Sequence, residues 1–398
     1  MTLKLAALAA AAAASMPTCS SAGPLAPIAQ ASARPPARAA FAPAASRGGL
    51  VYVSAILPPD SSAAFETQAT GVFEELKARL DGAGTTIDRV VSATVVLADA
   101  GDFPALNAAW NAVWPASRPT RTTIVGRLPV AGARLQVSAI AASAGTSREI
   151  VVPPGWQASA LPYSPAIRAG DTLFLSGIVS RRGADNAVVT GDIETQTRTV
   201  LDHASAVLQA AGLSLSDVTT ARVFLTDVGD FERMNAVYRT YFPSAPPARA
   251  TVVAQLTSPD YAIEITMVAS ARRPRSVHVT PNADGSPGRP SPVLSSAIEA
   301  GPTLFLSGML GVAPGADADA AAQAKEALDR LERTMKAAGY GWADVVDSVV
   351  YVTDAASAGS VIEVFRQRAG GRLPVGSLVV AGLVSPPARV EIMLTAGR

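Results

Sequence analysis

The same short segments occur three times along this chain at similar spacing, and this repetition limits its fold more than any other feature. The segments are residues 173–177, 304–308 and 51–55, and, further along each copy, residues 247–251, 119–123 and 374–378. The glycines that we expect to end a helix in each copy, Gly84, Gly212 and Gly339, keep the same period of 128 and 127 residues. The segments at 119–123, 247–251 and 374–378 share this period, the other segments recur at similar spacing, and together they indicate a triplicated domain.

Length and composition agree with three globular domains. The chain has 398 residues, of which 49% are hydrophobic and 16% charged, so each third can bury a core of its own. We place the domains at residues 41–145, 155–272 and 291–398, with a linker at 273–290. Lys and Arg number 33 against 32 Asp and Glu, with no basic stripe. We therefore expect neither a nucleic-acid partner nor capture by anionic membranes.

The N-terminal residues are typical of a secretory signal. A single Lys4 precedes an alanine-rich apolar run that is too short to span a bilayer. We expect a signal peptide at residues 1–31, a Pro/Ala/Ser-rich tether at 32–40, and a periplasmic or secreted mature protein without a transmembrane span. A lipoprotein modified at Cys19 and an alanine-rich disordered N-terminus are the alternatives.

The sequence offers few ligands for a metal. Cys19 is the only cysteine, and His203 and His278 are the only histidines. The mature domains therefore lack a disulfide, a cysteine nucleophile and a thiolate or histidine metal site. We expect chemistry that uses no metal and no cofactor.

The hydrophobic pattern of the middle copy is regular enough to predict its helices and strands. Hydrophobic periodicity predicts a strand at residues 173–179, a helix at 192–211, a strand at 218–226, a helix at 230–242, and a strand pair at 251–256 and 262–270. This order predicts an α+β unit with helices on one face of a mixed sheet. The open face needs a partner, so we expect the three copies to close into an intramolecular pseudo-trimer with the sheets turned inward.

Short blocks in the middle copy carry a family resemblance over residues 163–270. The blocks are PYS at 162–164, LSG at 175–177, GDIETQT at 191–197, VFLTD at 223–227, MNAVY at 234–238, PPAR at 246–249 and IEI at 263–265. In this order they resemble the Rid (YjgF-type) family of enamine/imine deaminases. The resemblance implies a chorismate-mutase-like fold, ligand clefts between subunits of a trimer, and cofactor-free hydrolysis of short 2-imino or 2-enamino acids to a 2-keto acid and ammonia.

The resemblance also implies roles for individual residues. Arg249 matches the arginine that binds the substrate carboxylate, and Glu264 matches the glutamate associated with the hydrolytic water. A guanidinium suits a carboxylate because its planar fork donates two parallel hydrogen bonds. The other matching pocket positions are Tyr163, Ser176, Gly177, Asn235 and Thr251, the last standing where the family often has cysteine. Aromatic residues at helical spacing, namely Phe103, Trp110, Phe231 and Tyr238, we assign to the core or an interface.

The outer copies are less complete. Copy one keeps Arg121, Asn107 and Ser54, which we include as ligand-binding candidates, but has Phe41, Ala55 and Gln136 at the tyrosine, glycine and glutamate positions. Copy three keeps Ser307, Gly308 and Glu391 but has Leu294, Ile362 and Gly376 in place of the tyrosine, asparagine and arginine. The middle copy alone has the full set, and the sequence leaves open which neighbour completes the cleft at Arg249.

These observations favour a Rid-like deaminase of small imino and enamino acids that works as a monomeric pseudo-trimer on a small carboxylate-bearing ligand. A non-catalytic binder of small carboxylic or keto acids, and a scaffold protein, are the alternatives.

Overall fold

Each repeat folds into one mixed sheet and two helices. The computed structural model describes residues 41–156, 162–312 and 319–398. The predicted signal peptide and tether lie outside the described residues. Repeat one contains β1 (Ala44–Arg47), β2 (Leu50–Ile56), α1 (Phe65–Gly82), β3 (Val90–Leu97), α2 (Phe103–Val113), β4 (Thr120–Val125) and β5 (Leu135–Ala142).

The other two repeats follow the same order. Repeat two contains β6 (Arg148–Val151), β7 (Ala166–Ala169), β8 (Thr172–Leu175), β9 (Ile178–Val179), α3 (Ile193–Ala210), β10 (Val218–Leu225), α4 (Phe231–Tyr241), β11 (Ala248–Val253), β12 (Gln255–Leu256) and β13 (Ile263–Ser270). Repeat three contains β14 (Arg275–His278), β15 (Ala297–Ala300), β16 (Thr303–Leu306), β17 (Met309–Leu310), α5 (Ala320–Ala337), β18 (Val345–Val352), α6 (Ala358–Arg368), β19 (Val375–Val380), β20 (Gly382–Leu383) and β21 (Val390–Gly397).

The long helix of the middle repeat begins and ends where local chemistry requires it. The Asp192 side chain accepts a hydrogen bond from the Thr195 backbone N–H and so caps the first turn of α3. Gly212, with φ of 68°, follows the helix in the left-handed conformation that glycine adopts without strain. Between these points one face of α3 packs against the sheet, with Val200, Leu208 and their neighbours fully buried.

The predicted strand pair of the middle repeat is wrong in its pairing. The sheet order is β11-β10-β13-β8, so β10 lies between the two strands that we expected to be neighbours. Helix α4 carries the chain from β10 back to a parallel β11, where Val223 faces Thr251, and β13 then runs antiparallel to β10 on its other side. A helical crossover such as α4 favours parallel pairing of the two strands that it joins. The short loop between β12 and β13 does not indicate that β10 lies between β11 and β13.

Short strands join the repeats. Strand β12 of repeat two pairs with β4 of repeat one, and β20 of repeat three pairs with β11 of repeat two. Residues 273–290, which we expected to be a linker, contain β14, and β6 lies between the first two domains. Each of these strands extends the sheet of the repeat that follows. Edge strands are therefore covered by neighbouring segments of the same chain.

The three sheets face one another. Each repeat has a hydrophobic core between its helices and its own sheet. A further core contains the equivalent residues Val96, Phe224 and Tyr351 of the three central strands, each at most 2% exposed. All described residues belong to one compact unit. The fold is therefore the closed α+β pseudo-trimer that the repeats predict, and no helix in the described ranges is long and apolar enough to cross a bilayer.

Candidate active-site clefts

Arg121 and Arg249 occupy the same position in the first two repeats, and each is hydrogen-bonded to the repeat that follows. Arg121 is the second residue of β4, its backbone N–H donates to Ser176 Oγ at 3.0 Å, and its carbonyl accepts from the Gly177 N–H at 3.0 Å. Arg249 of β11 makes the same two bonds with Ser307 and Gly308, at 2.7 and 3.1 Å. The arginine of one repeat therefore meets the Ser-Gly segment of the next.

An asparagine from the same repeat orients each guanidinium. Arg121 Nη2 donates to Asn107 Oδ1 at 2.7 Å, and Arg249 Nη2 donates to Asn235 Oδ1 at 2.8 Å. Both asparagines lie on the second helix of their repeat. This bond fixes one edge of the guanidinium and leaves the other edge to a ligand.

The glutamate opposite each arginine comes from the next repeat. Glu264 Oε1 accepts a hydrogen bond from the Thr123 backbone N–H at 3.3 Å, which places it in the cleft of Arg121. Glu391 interacts in the same way with the Thr251 backbone and lies near Arg249. The expectation that Arg249 and Glu264 form one centre needs correction: the two halves of the middle repeat face different neighbours, so its complete residue set is divided between two clefts.

We call the junction of repeats one and two the first cleft; it is formed by Arg121, Asn107, Tyr163, Ser176, Gly177 and Glu264. The second cleft, between repeats two and three, is formed by Arg249, Asn235, Thr251, Ser307, Gly308 and Glu391, with Leu294 at the tyrosine position. Ser54, the remaining sequence candidate, lies at the third junction. The first cleft thus contains every residue type that the family resemblance implies for the site.

Burial sets the charge state of the two glutamates. Glu264 and Glu391 are each 4% exposed, and burial raises the pKa of each carboxyl to about 8. The Thr123 N–H and the Arg121 charge only partly oppose this rise at Glu264. Near neutral pH both side chains are therefore mainly protonated and can donate a proton.

Glycine is required beside each glutamate. A Cβ on Gly177 would lie 1.8 Å from Glu264 Oε1, and a Cβ on Gly308 would lie 1.8 Å from Glu391 Oε1. Any larger residue would displace the carboxyl group. Repeat one has Ala55 at this position and Gln136 at the glutamate position, so both members of the pair differ there together.

Aromatic rings surround the guanidinium groups. The Arg121 guanidinium carbon lies 5.0 Å from the Trp110 ring centre, 5.3 Å from that of Phe103 and 5.5 Å from that of Tyr163. These distances allow cation–π attraction. We assigned Phe103 and Trp110 to the core; the structure gives them this second role. The signal was their spacing, four residues before and three after Asn107, which puts all three on one helix face.

In the second cleft, aromatic rings lie on only one side of the guanidinium. The Arg249 guanidinium carbon lies 4.7 Å from the Tyr238 ring centre and 6.0 Å from that of Phe231. On the opposite side Leu294 replaces the tyrosine. A planar ligand would therefore meet an aliphatic side chain there instead of a ring.

Both guanidinium groups have hydrogen-bond donors to spare. Arg121 is 3% exposed and Arg249 is 1% exposed, and neither forms an ion pair among the described residues. Nη1 of Arg121, and Nε and Nη1 of Arg249, are buried without a well-aligned hydrogen-bond partner, although the Tyr238 hydroxyl lies close to the Arg249 guanidinium. Burial lowers the pKa of Arg121 to about 10, so the side chain stays cationic at neutral pH. A buried cation with free donors requires an acceptor, and a carboxylate fits the open edge of the fork.

The third junction, between repeats three and one, is closed. Gly376 stands at the arginine position, and its N–H donates to Ser54 Oγ at 2.9 Å. The Phe41 ring occupies the adjoining space, since a Cβ on Gly376 would lie 2.5 Å from Phe41 Cε1. Gln136 Nε2 donates to the Leu378 carbonyl at 3.1 Å, in place of the glutamate contact. This junction holds neither the cation nor the acid of the other two.

The side chains that form the clefts do not suit a metal ion. In the portions of the chain that the structure describes, no group of three or more His, Cys, Asp or Glu side chains is placed to bind one. The ligand-binding capacity of the clefts comes from the guanidinium, the carboxyl group and the backbone N–H groups.

Known proteins resemble this chain in both sequence and fold. The sequence profile described as Endoribonuclease L-PSP matches residues 31–143, 156–271 and 289–397. A RutC family protein of Sulfurisphaera tokodaii is 47% identical over 109 residues, covering 27% of this chain and 87% of that protein. The 3-aminoacrylate deaminase RutC of Acinetobacter baylyi is 41% identical over 122 residues, covering 31% and 97%.

One solved structure resembles most of the chain. The crystal structure of a chorismatase superposes with a TM-score of 0.51 at 16% identity, covering 78% of this chain and 93% of that one. At this identity the likeness shows the fold alone. It agrees with the arrangement of repeats into a single closed body.

Proposed function

This chain belongs to the Rid (YjgF-type) family, the family whose profile is described as Endoribonuclease L-PSP, in three tandem copies, and on that premise we propose that its first cleft hydrolyses small imino and enamino acids. The products are the corresponding oxo acid and ammonia. The similarity to a protein named 3-aminoacrylate deaminase supports a short enamino acid as the type of substrate.

The observation that carries this proposal is the state of Arg121. Its guanidinium is buried, forms no ion pair among the described residues and keeps Nη1 free, while Glu264 lies in the same cleft. A substrate carboxylate bound to the open edge of the fork would hold the adjacent carbon–nitrogen group in one orientation. Fixing two reacting groups in this way contributes much of the rate gain in such reactions.

The raised pKa of Glu264 gives that residue two successive roles. As an acid it donates its proton to the enamine carbon; the C=C electron pair forms the new C–H bond, and an iminium remains. The carboxylate then takes a proton from the water whose oxygen adds to the iminium carbon. That proton passes to the amine nitrogen, the C–N bond breaks, and ammonia leaves with the bonding pair. The Glu264 carboxylate then takes the hydroxyl proton, which yields the oxo acid and restores the protonated side chain.

The second cleft supports the same chemistry less well. Arg249, Asn235 and Glu391 repeat the contacts of the first cleft, but Leu294 supplies no ring and no hydroxyl. We propose that the second cleft binds the same carboxylates with a lower turnover.

A quench assay tests the proposal. An amino-acid oxidase generates 2-iminopropanoate, semicarbazide traps it, and the protein should slow semicarbazone formation by hydrolysing the imine first. Arg121→Ala should remove most of this effect, and Arg249→Ala, the matched control in the other cleft, should remove little. A wild-type protein without effect on either 2-iminopropanoate or enzymatically generated 3-aminoacrylate would refute the deaminase. Calorimetry with pyruvate would then test the alternative, a non-catalytic binder, which the free donors of Arg121 and Arg249 also favour.

We further propose that residues 1–31 direct export and that the mature chain is a monomer. The Lys4 and alanine-rich run support export. The contacts among three repeats of one chain support a monomer. Mass spectrometry of the N-terminus after expression in a bacterium with a periplasm tests the first, and sedimentation velocity tests the second.

A further inference from the structure

A cavity of about 120 Å³ lies where the inner faces of the three sheets meet, away from the clefts. One ordered water needs about 10–15 Å³ on the same measure, so the cavity has room for a small organic molecule. Its wall includes the third and fifth residues of the three equivalent central strands, Ser92, Thr220 and Asp347, and Thr94, Arg222 and Val349. We call it the axial cavity.

The wall of the axial cavity is not symmetric. In a trimer of identical chains the same residue would occupy each of three equivalent positions. Fusion of the repeats instead permits one acid, Asp347, and one base, Arg222, on the three central strands, while Arg47 and Arg272 line the cavity from other segments. A threefold ring of either residue would bring three like charges together, at a high electrostatic cost.

Asp347 is positioned by an irregularity in its strand. A register shift lies between Val345 and Asp347, where β18 pairs with β21. Such bulges redirect side chains. Burial raises the pKa of Asp347 to about 7, and the Arg222 charge partly opposes this rise. Asp347 makes no ion pair among the described residues, although it lies close enough to Tyr52, another residue of the cavity wall, to raise the pKa of that hydroxyl further.

Other polar groups of the wall also have unused capacity. Arg222 Nη2 donates to Thr94 Oγ1 at 2.9 Å, and the Arg222 side chain lies beside the Tyr351 hydroxyl. Thr220 Oγ1 is buried without a hydrogen-bond partner. The exposed Arg47 lines the same cavity and adds positive charge that favours entry of a carboxylate.

We propose that the axial cavity binds one small zwitterionic amino acid per chain, with its carboxylate at Arg222 and its ammonium group at Asp347. A simple carboxylate would pair with Arg222 and leave the acid beside it without a partner. A simple amine would pair with Asp347 and leave Arg222 with its Thr94 contact but no carboxylate. A ligand with both charges gives Asp347 an ammonium partner and gives the arginines of the wall, Arg222, Arg47 and Arg272, a carboxylate partner. This site is separate from the deaminase clefts and does not depend on their activity.

Calorimetry on the full chain tests the proposal, with L-alanine and glycine as probes and propanoate and ethylamine as single-charge controls. In the Arg121→Ala, Arg249→Ala double variant, whose clefts lack the carboxylate-binding arginine, we expect one amino acid per chain and weaker binding of both controls. Asp347→Ser and Arg222→Thr introduce the residues that repeat one has at the equivalent positions. Each should weaken alanine binding about tenfold or more.

Two controls separate this site from the clefts and from unfolding. Arg121→Ala should retain alanine binding, since Arg121 lies in the first cleft. Thermal melts should show Asp347→Asn to be as stable as the wild type while it loses affinity. Failure of the wild type to bind either amino acid at millimolar concentration would overturn the proposal. So would equal affinity for propanoate and alanine in the Arg121→Ala, Arg249→Ala double variant, or alanine binding that is lost in Arg121→Ala and kept in Asp347→Ser.

Discussion

The position of the Glu264 carboxyl group depends on the absence of a side chain at Gly177. Gly177 leaves the space into which Glu264 Oε1 projects, and the Gly177 N–H holds the Arg121 carbonyl. One small residue therefore joins the acid of repeat two to the cation of repeat one.

Replacement of that glycine should damage catalysis more than folding. In Gly177→Ala the new methyl group would displace the Glu264 carboxyl, and misplacement of about 1 Å can cost about 100-fold in rate. We expect kcat/KM for 2-iminopropanoate to fall by about 10- to 100-fold, measured by semicarbazone quench. Gly308→Ala makes the same change in the second cleft and should have a small effect. Equal losses in the two variants would contradict the assignment of activity to the first cleft.

The pKa of Glu264 predicts a pH profile. Burial raises this pKa to about 8, and the protonated form starts the reaction. We therefore expect kcat/KM for an enamine substrate to decline as pH rises through about 8. Glu264→Gln should have low activity without this decline, whereas Glu391→Gln should retain it. A rate that instead rises through pH 8 would show that Glu264 acts only as a base.

At the scale of elements, the start of β19 and the segment before β1 meet in the third junction. Phe41 forms a bridge with Leu373, and the Ala42 N–H donates to the Pro374 carbonyl at 3.1 Å. The absence of a side chain at Gly376 makes room for the Phe41 ring. An arginine and this ring could not occupy the same space.

This exclusion can be measured by a double-mutant cycle. Gly376→Arg should lower the free energy of unfolding by about 1–3 kcal/mol, because the new side chain overlaps the ring. In the Phe41→Ala background the same substitution should cost less, with a coupling energy of about 0.5–3 kcal/mol from chemical denaturation. Additive effects would mean that the ring and the new side chain do not compete.

The helices and strands of each repeat could be predicted because their signals are local. The 3.6-residue stripe of α3 and its limits at Asp192 and Gly212 lie within one segment of sequence. Pairings between repeats could not be predicted in this way. No local pattern shows that β12 joins β4, or that Glu264 faces Thr123, because these contacts depend on how three sheets close. The sequence therefore predicted the residue types of the site but not their division between the two clefts.

At the scale of the whole molecule, buried acids make stability depend on pH. Burial raises the pKa of Glu264 and Glu391 to about 8, well above the ordinary value of 4.5. The folded state thus holds protons that the unfolded state releases. The stabilisation is complete below about pH 4.5 and is lost as pH rises through about 8, at about 1.4 kcal/mol for each unit of pKa difference.

A melting series tests this linkage. The Tm should decrease steadily from pH 5 to pH 9, with Asp347 adding to the slope because its pKa is raised to about 7. The Glu264→Gln, Glu391→Gln double variant should show a flatter dependence, measured by calorimetry at constant ionic strength. A double variant with an unchanged slope would assign the pH dependence to other groups.

The contact between Ala42 and Pro374 also has a consequence for synthesis on the ribosome. Repeat one emerges from the ribosome first. Pro374, whose carbonyl accepts from the Ala42 N–H, is not available until about 330 further residues have been translated. During that interval the nascent chain must keep one inner surface uncovered. The junction that closes last is the one filled by a phenyl ring, whose burial needs no ligand and no removal of water from a guanidinium. The third junction can therefore close through hydrophobic contact alone, and its closure does not depend on the presence of substrate.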